Sequence, residues 1–377
     1  MQSIGRNFFK ITITFVCSLL LVSCAQVFTK DKISTNNRVV EVALLLPLSG
    51  SEAKFGKEYG QMIAMGMSDG AKTRIRITSY DAANQYLLQQ SLEKIFDLGT
   101  DIIIGPIYSE PTKIVASQVR GKSTIVLSLS NNPVLADKQV YIYGHAPMKQ
   151  LEQLTNSFLD QDYKNYILLL PSGRYSSTVG SILKNTIISN GGTVHRTEVY
   201  EKDPESIAKS LQLVSSTVDE INENDVNLTQ PIIIIADEPA ALAMLLNEAK
   251  KLHLDKKAIL AGDNRIDLNL HQPVDITFTG SLKFNLLQQT NKFNINDFTF
   301  LHALAYDAGK MISHYIGRDY SKAQFLARMN SAKPFIGVSG NITFIDSIAQ
   351  RHYDVITKIN GQPKLRETIP TASQVIN

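Results

Sequence analysis

Cysteine is nearly absent. Cys17 and Cys24 are the only two among 377 residues, so no disulfide framework supplies the stability and packing must do so. A strong charge of either sign is also missing. The formal net charge is +3, and it falls to +1 if Arg6 and Lys10 leave with an N-terminal signal, which leaves no electrostatic footprint for nucleic acid. After the first two dozen residues no stretch is long and apolar enough to span a bilayer. There is no short-period repeat, no Walker loop and no dinucleotide fingerprint. The seven histidines are scattered, with neither HExxH spacing nor a cysteine partner, so neither a metal site nor a cofactor is expected.

Both cysteines lie where a secretory signal would. Arg6 and Lys10 form a basic n-region, and Ile11 to Val22 an apolar run too short to span a membrane comfortably. The run ends Leu21-Val22-Ser23-Cys24, the order of a bacterial lipobox, in which the cysteine carries diacylglycerol and becomes the first residue. Residues 1–23 are read as a lipoprotein signal peptide and residues 24–38 as a lipidated, polar tether. Ala25, rather than Asp, follows the cysteine. By resemblance to bacterial lipoproteins this implies an outer-membrane anchor with the protein facing the periplasm.

About 340 residues remain, too many for one ordinary core and enough for two. From Val39 strands and helices alternate. VVEVALLLPL reads as a strand buried on both faces. The segments RIRITSYDA, DIIIGP, STIVLSLS and QVYIYG are further strands with amphipathic helices between most of them. The alternation restarts after Pro147, with KNYILLLP, TVHRTEVY, PIIIIA and KKAILAG as strands. A long helix is expected from about Asp297 to Tyr315, and a terminal β-hairpin from NITF and RHYDVITKING. The expected fold class is α/β, with two Rossmann-like lobes of parallel sheet.

In open parallel sheets ligands gather where strands end and helices begin. Three such loops carry suitable chemistry: PLSGS with Ser49 and Gly50, GPIYSE with Ser109, and SLSNN with Leu129, Ser130 and Asn131. Ser109 is expected to cap its helix, beside N–H groups able to hold a carboxylate. For any single loop, local capping and turn formation are the preferred explanation. Together they mark the mouth of a cleft.

The same stretches carry a family resemblance. VALLLPLSGSEAKFGKEYGQ, SYDAANQ, DIIIGPIYSEPTKIVASQV, LSLSNN and HALAYDAGKMI resemble the type I periplasmic-binding-protein fold of leucine-binding proteins. SLSNNPVLADKQVYIYGHAPMKQLEQL, LLPSGRYSSTVGSILKNTIISNGGTVHRTEVY and GVSGNITFIDSIAQRHYDVITKING resemble, more closely, the short form of the penicillin-binding protein activator lipoproteins. The resemblance spans about Val39 to Gly361. It implies two lobes joined by three hinge crossovers, expected near Gly144 to Pro147, Phe278 to Leu282 and Pro334 to Gly340. Lobe 1 would comprise about 39–145 and 281–335, and lobe 2 about 146–280 and 336–361, leaving 362–377 as a tail. It also implies a cleft in which Ser109, Leu129 and Asn131 face Tyr175 and Asp263 from the second lobe. The triplet Asp263-Asn264-Arg265 departs from both patterns. It leaves a bound ammonium without assured support, so high-affinity amino-acid binding is not expected.

Catalytic signals are weak. S-x-x-K occurs at Ser51, Ser91 and Ser206 without KTG or SDN, and Gly337-Val338-Ser339-Gly340 is one residue short of a nucleophile elbow. The expected function is non-catalytic: a lipid-anchored, periplasm-facing protein that binds and activates a peptidoglycan synthase. The alternative is a solute-binding lipoprotein of an ABC importer, with an amino acid or another small polar ligand in the cleft. A ligand sensor for a signalling partner is a third class.

Overall fold

The computed structural model describes residues 38–71, 74–224, 229–237, 239–263, 273–288, 298–318 and 320–366. Cys24, the signal and most of the tether lie outside them. Residues from Val39 onward form one compact unit, distinct from Met1–Arg38.

The unit is built on two sheets. The first begins with β1 (Val40–Leu46), α1 (Ala53–Gly70), β2 (Ile75–Asp81), α2 (Gln85–Asp97), β3 (Ile102–Ile104), α3 (Ser109–Val119), β4 (Ile125–Ser128) and β5 (Val140–Ile142). The chain then crosses to α4 (Pro147–Leu159), β6 (Asn165–Pro171), α5 (Arg174–Ser189), β7 (Thr193–Tyr200), α6 (Pro204–Asn224), β8 (Ile232–Ile235), α7 (Pro239–Lys251), α8 (Leu254–Lys257), β9 (Ile259–Gly262) and β10 (Ile276–Gly280). Within each sheet the five parallel strands take the same doubly wound order, β2-β1-β3-β4-β5 and β7-β6-β8-β9-β10. Sequence explains their burial. Six of the seven β1 residues and all four isoleucines of β8 are buried, as continuous apolar runs must be when helices cover both faces.

After β10 the chain returns to the first lobe. It passes through α9 (Leu282–Gln288), α10 (Phe300–Ile316), α11 (Lys322–Met329), β11 (Phe335–Ile336), β12 (Asn341–Ile345) and β13 (Ile348–His352). The last three extend the first sheet beyond β5. β14 (Asp354–Ile359) and β15 (Gln362–Leu365) extend the second sheet beyond β10. The fold is the expected α/β pair with three crossovers, after β5, after β10 and at Tyr353.

Two boundaries differ from the expectation. NITF and RHYDVITKING are not one hairpin. β12 pairs with β13 through a tight turn at Asp346 and Ser347, both at positive φ, and the chain leaves the first sheet only afterwards. Residues 336–352 therefore belong with lobe 1, and the third crossover is not at Pro334 to Gly340. The glycines there serve another purpose. Val338 and Ser339 donate backbone N–H groups to the Asp307 carboxylate of α10 at 2.8 and 2.6 Å, and Ser339 Oγ donates to it at 2.6 Å. Gly337 lies so near that carboxylate that a side chain would collide with it. Burial pushes the Asp307 carboxyl up, opposed by these hydrogen bonds and by Arg351. The second difference is in the tail, whose first residues form β15 and pair with β14.

The first lobe is held by α1 against α10. Gly66 abuts the carbonyl of Tyr306, Gly309 that of Ile63, and Gly70 the hydroxyl of Ser313. No Cβ fits at Gly66 or Gly309 without moving the facing backbone. Around this contact Met62, Ile63, Met67, Ala305, Met311 and Ile312 are buried. Among the described residues, no helix is long and apolar enough to cross a membrane.

Gly309→Val is expected to force the two helices apart and to cost about 3 kcal/mol, the upper end for overpacking, read as a lowered urea midpoint. An unchanged midpoint would mean that the helices do not depend on this approach.

Candidate functional site

The doubly wound order places a switch point in each sheet, between β1 and β3 in the first and between β6 and β8 in the second. The loops after those strands form the natural site. In the first lobe they are tied down by their own polar groups. Asp81, at the end of β2, accepts the backbone N–H groups of Leu48 at 2.9 Å and Ala83 at 3.0 Å, and is also hydrogen-bonded by Ser49. Burial pushes the Asp81 carboxyl up. The bonds from Ser49, Leu48 and Ala83 outweigh it and hold the group below its ordinary range. Ser49 is thus half-buried against Asp81, while Gly50 is exposed at φ 71°.

Ser109 is the first residue of α3 and not its cap; Tyr108 occupies the capping position and makes no side-chain cap. The Ser109 hydroxyl instead meets Ser130 Oγ at 3.2 Å. Ser130 is buried, and its Oγ also accepts the Asn132 N–H. Thr112 Oγ1 donates to the Tyr108 carbonyl at 2.8 Å and lies 2.8 Å from Ser128 Oγ. These hydroxyls staple the β4 loop to the start of α3. Leu129 is buried, with its N–H on the Pro106 carbonyl, and Asn131 is exposed. The structure therefore brings Ser109 and Ser130 together.

In the second lobe Tyr175 sits in the first turn of α5, and its side chain lies outside the described residues. Asp263 follows β9 and is buried. Burial pushes the Tyr353 phenol up, Arg351 draws it down, and the Asp263 carboxylate adds a smaller upward push. Asp263 thus lies within the field of the third crossover. Asn264 and Arg265 lie outside the described residues.

The sequence reading missed Asp237. It follows β8 at the switch point and is buried. Tyr200 OH donates to its Oδ2 at 2.6 Å, and Lys202 Nζ pairs with its Oδ1 at 2.8 Å. The signal was present, since PIIIIAD ends a buried strand in an acid just as LAGD does. Three of the four candidate nucleophiles are engaged: Ser91 Oγ donates to the Asp81 carbonyl at 2.7 Å, Ser206 Oγ accepts the Glu201 N–H at 2.9 Å and Ser339 is locked to Asp307, while Ser51 is exposed. Among the described residues no group of three or more His, Cys, Asp or Glu is placed to hold a metal.

A family model described as LppC putative lipoprotein matches residues 29–230, more than half of the chain. An uncharacterized protein of Rickettsia prowazekii is 39% identical over 357 residues, 93% of this chain and 95% of that one. The chain belongs to the LppC lipoprotein family. Its fold is shared with the C-domain of LpoA from Haemophilus influenzae, at TM-score 0.62 and 18% identity over 86% of this chain and 100% of that domain. Full-length LpoA is matched over 59% of its length. A putative branched-chain amino acid ABC transporter protein of Rhodospirillum rubrum gives TM-score 0.69 at 13% identity, covering 87% of this chain and all of that one. The resemblance read from the sequence thus holds for family and fold.

Because Asp81 is held ionised, its stabilisation is complete above the ordinary carboxylate range and fades as pH falls through its lowered value. Asp81→Asn is expected to cost about 1 kcal/mol at neutral pH. The variant should also lose less stability than the parent between about pH 5 and pH 3. Urea melts across that range decide it; equal acid sensitivity in both proteins would remove Asp81 from the account.

Proposed function

We propose that this LppC-family chain is a non-catalytic lipoprotein, anchored through Cys24 at the periplasmic face of the outer membrane, that binds and stimulates a peptidoglycan synthase of the penicillin-binding-protein class. The observation that carries the reading is family membership joined to a fold shared with the whole C-domain of LpoA, a protein described as a regulator of PBP1A. The site supports it. The Ser91 and Ser339 hydroxyls, which fall in nucleophile-like motifs, are spent on structure, and on the rim of the first lobe Ser109 and Ser130 meet each other.

The importer reading shares the fold and differs at the cleft. A buried zwitterion needs an acid for its ammonium, because an unpaired buried charge is costly. Both oxygens of Asp237 are already engaged, by Tyr200 and by Lys202. Calorimetric titration of the purified protein with the common amino acids is therefore expected to show no micromolar binding. Retention of a peptidoglycan synthase in crosslinked pull-downs is expected alongside it. Micromolar binding of leucine or another amino acid, abolished in Ser109→Ala, would transfer the assignment to solute binding.

The anchor is tested separately. Cys24→Ala is expected to accumulate as unprocessed precursor or to leave the outer-membrane fraction. Normal processing and fractionation of that variant would refute lipidation.

A further inference from the structure

A second site lies away from the strand ends. A groove of about 690 Å³ runs between α4 and the third crossover. One wall is a single face of α4, from Lys149 through Asn156 and Ser157 to Asp160, about 16 Å of helix. The other wall is formed by residues 349–355 together with Leu365 and Arg366.

Two arginines line this groove, and each is held by stacking. Arg351 lies over the Tyr143 ring at 4.3 Å, and its Nη1 donates to the Gly144 carbonyl at 3.4 Å. Its Nε and Nη2 are buried, and what lies beside the guanidinium is the neutral phenols of Tyr143 and Tyr353 rather than a carboxylate. Those two nitrogens share one edge of the guanidinium plane, the edge that meets both oxygens of a carboxylate. Arg366 lies over Phe158 at 4.9 Å and donates from Nη2 to Tyr163 OH at 2.8 Å, and its Nε is buried without a partner. Neither arginine has a carboxylate within ion-pair distance among the described residues. The acids of the groove are otherwise used or exposed: Glu152 pairs with Lys149 at 2.7 Å, Asp354 accepts the Leu282 N–H at 2.9 Å, and Asp160 faces solvent.

The backbone adds a second recognition element. β13 pairs with β12 along its whole length, but with β5 only at Ile348. Every second residue of an antiparallel strand turns its N–H and C=O away from its partner. From Ala349 onward no strand among the described residues takes up those groups on the side away from β12. Val355, whose carbonyl accepts the Arg366 N–H, lies four positions after Arg351, so the two arginines are offset by no more than about 14 Å of extended chain.

We propose that this groove binds a short, extended, carboxylate-bearing peptide segment. The ligand backbone adds to the open edge of β13, and its carboxylate takes the Nε–Nη2 edge of Arg351, with Arg366 as the second cationic contact. The Arg351 edge and the Arg366 Nε are sealed from water in this conformation. The carboxylate therefore enters by parting the seam between α4 and the crossover. The Gln153 side chain holds that seam by two bonds, Nε2 to the Tyr353 carbonyl at 2.7 Å and the Tyr353 N–H to Oε1 at 3.3 Å. This site does not depend on the identity of the partner proposed above.

The test is fluorescence anisotropy of the purified full chain with a labelled tetrapeptide that has one internal glutamate and a free carboxyl terminus. Saturable micromolar binding is expected, weakened about tenfold or more when glutamate becomes glutamine and the terminus is amidated. Arg351→Gln and Arg366→Gln are expected to weaken it similarly. Should Arg351→Gln fail to fold, Asn156→Trp, which fills the groove from an exposed helix position, keeps the test decisive and is expected to abolish binding. Asn131→Trp at the strand-end loop is expected to leave it unchanged. The proposal is overturned by absence of saturation up to about 1 mM, by equal binding of the amidated glutamine peptide, or by unaltered binding in Asn156→Trp. Loss in Asn131→Trp, or binding of phosphate and sulfate without peptide, overturns it equally.

Discussion

The approach of α1 to α10, backbone against backbone at Gly66 and Gly309, is the contact on which the rest of the structure depends. The two helices are separated by more than two hundred residues of chain. For α10 to reach α1, the chain must leave the second lobe after β10 and come back to the first. It must cross once more before β14 can pair with β10. A single tight helix contact therefore fixes the discontinuity of both lobes. Glycine is required because dispersion at this range is gained only if two backbones touch, and a methyl group on either helix would hold them apart.

The return journey is organised by buried polar groups. Asp307, on the face of α10 turned toward the sheet extension, gathers the 337–340 loop with three hydrogen bonds and so delivers β12 and β13 to the first sheet. At the far end of β13 the crossovers are cross-tied. Arg351 reaches Gly144 in the first crossover, Asp354 accepts from Leu282 in the second, and Gln153 brackets Tyr353 in the third. Residues 351–354 thus join all three passages between the lobes. The same four residues line one wall of the peptide groove, so a ligand there touches the segment through which the lobes are connected.

Much of the candidate site was legible because the doubly wound plan has few options. Once VALLLPL and DIIIGP are strands, their following loops must meet at the switch point, and Ser49 and Ser109 go with them. Partner choice was not legible. Ser109 looked like a cap with a free hydroxyl, yet Tyr108 holds the capping position and Ser130 takes that hydroxyl. Asp263 was singled out because the resemblance implies an acid at that place in the second lobe, while Asp237, buried at the switch point with Tyr200 and Lys202, passed as the end of a strand. The stretch Pro334 to Gly340 read as a hinge because proline and glycine often mark one. A glycine admitted for lack of space beside Asp307 carries the same letter as a glycine admitted for freedom.

The sequence by itself determined the strand–helix alternation, the burial of the parallel strands, the family and the absence of a disulfide framework. These follow from periodicity and composition, which act over a few residues and need no knowledge of distant partners. Only the tertiary structure decided which sheet receives β13, where the third crossover lies, and that two arginines stand stacked along one groove with no carboxylate at ion-pair distance among the described residues. Each of those depends on residues brought together across scores of positions in the chain. A buried carboxylate or guanidinium is oriented by whatever donor, acceptor or ring lies beside it in space, and no local pattern encodes that neighbour.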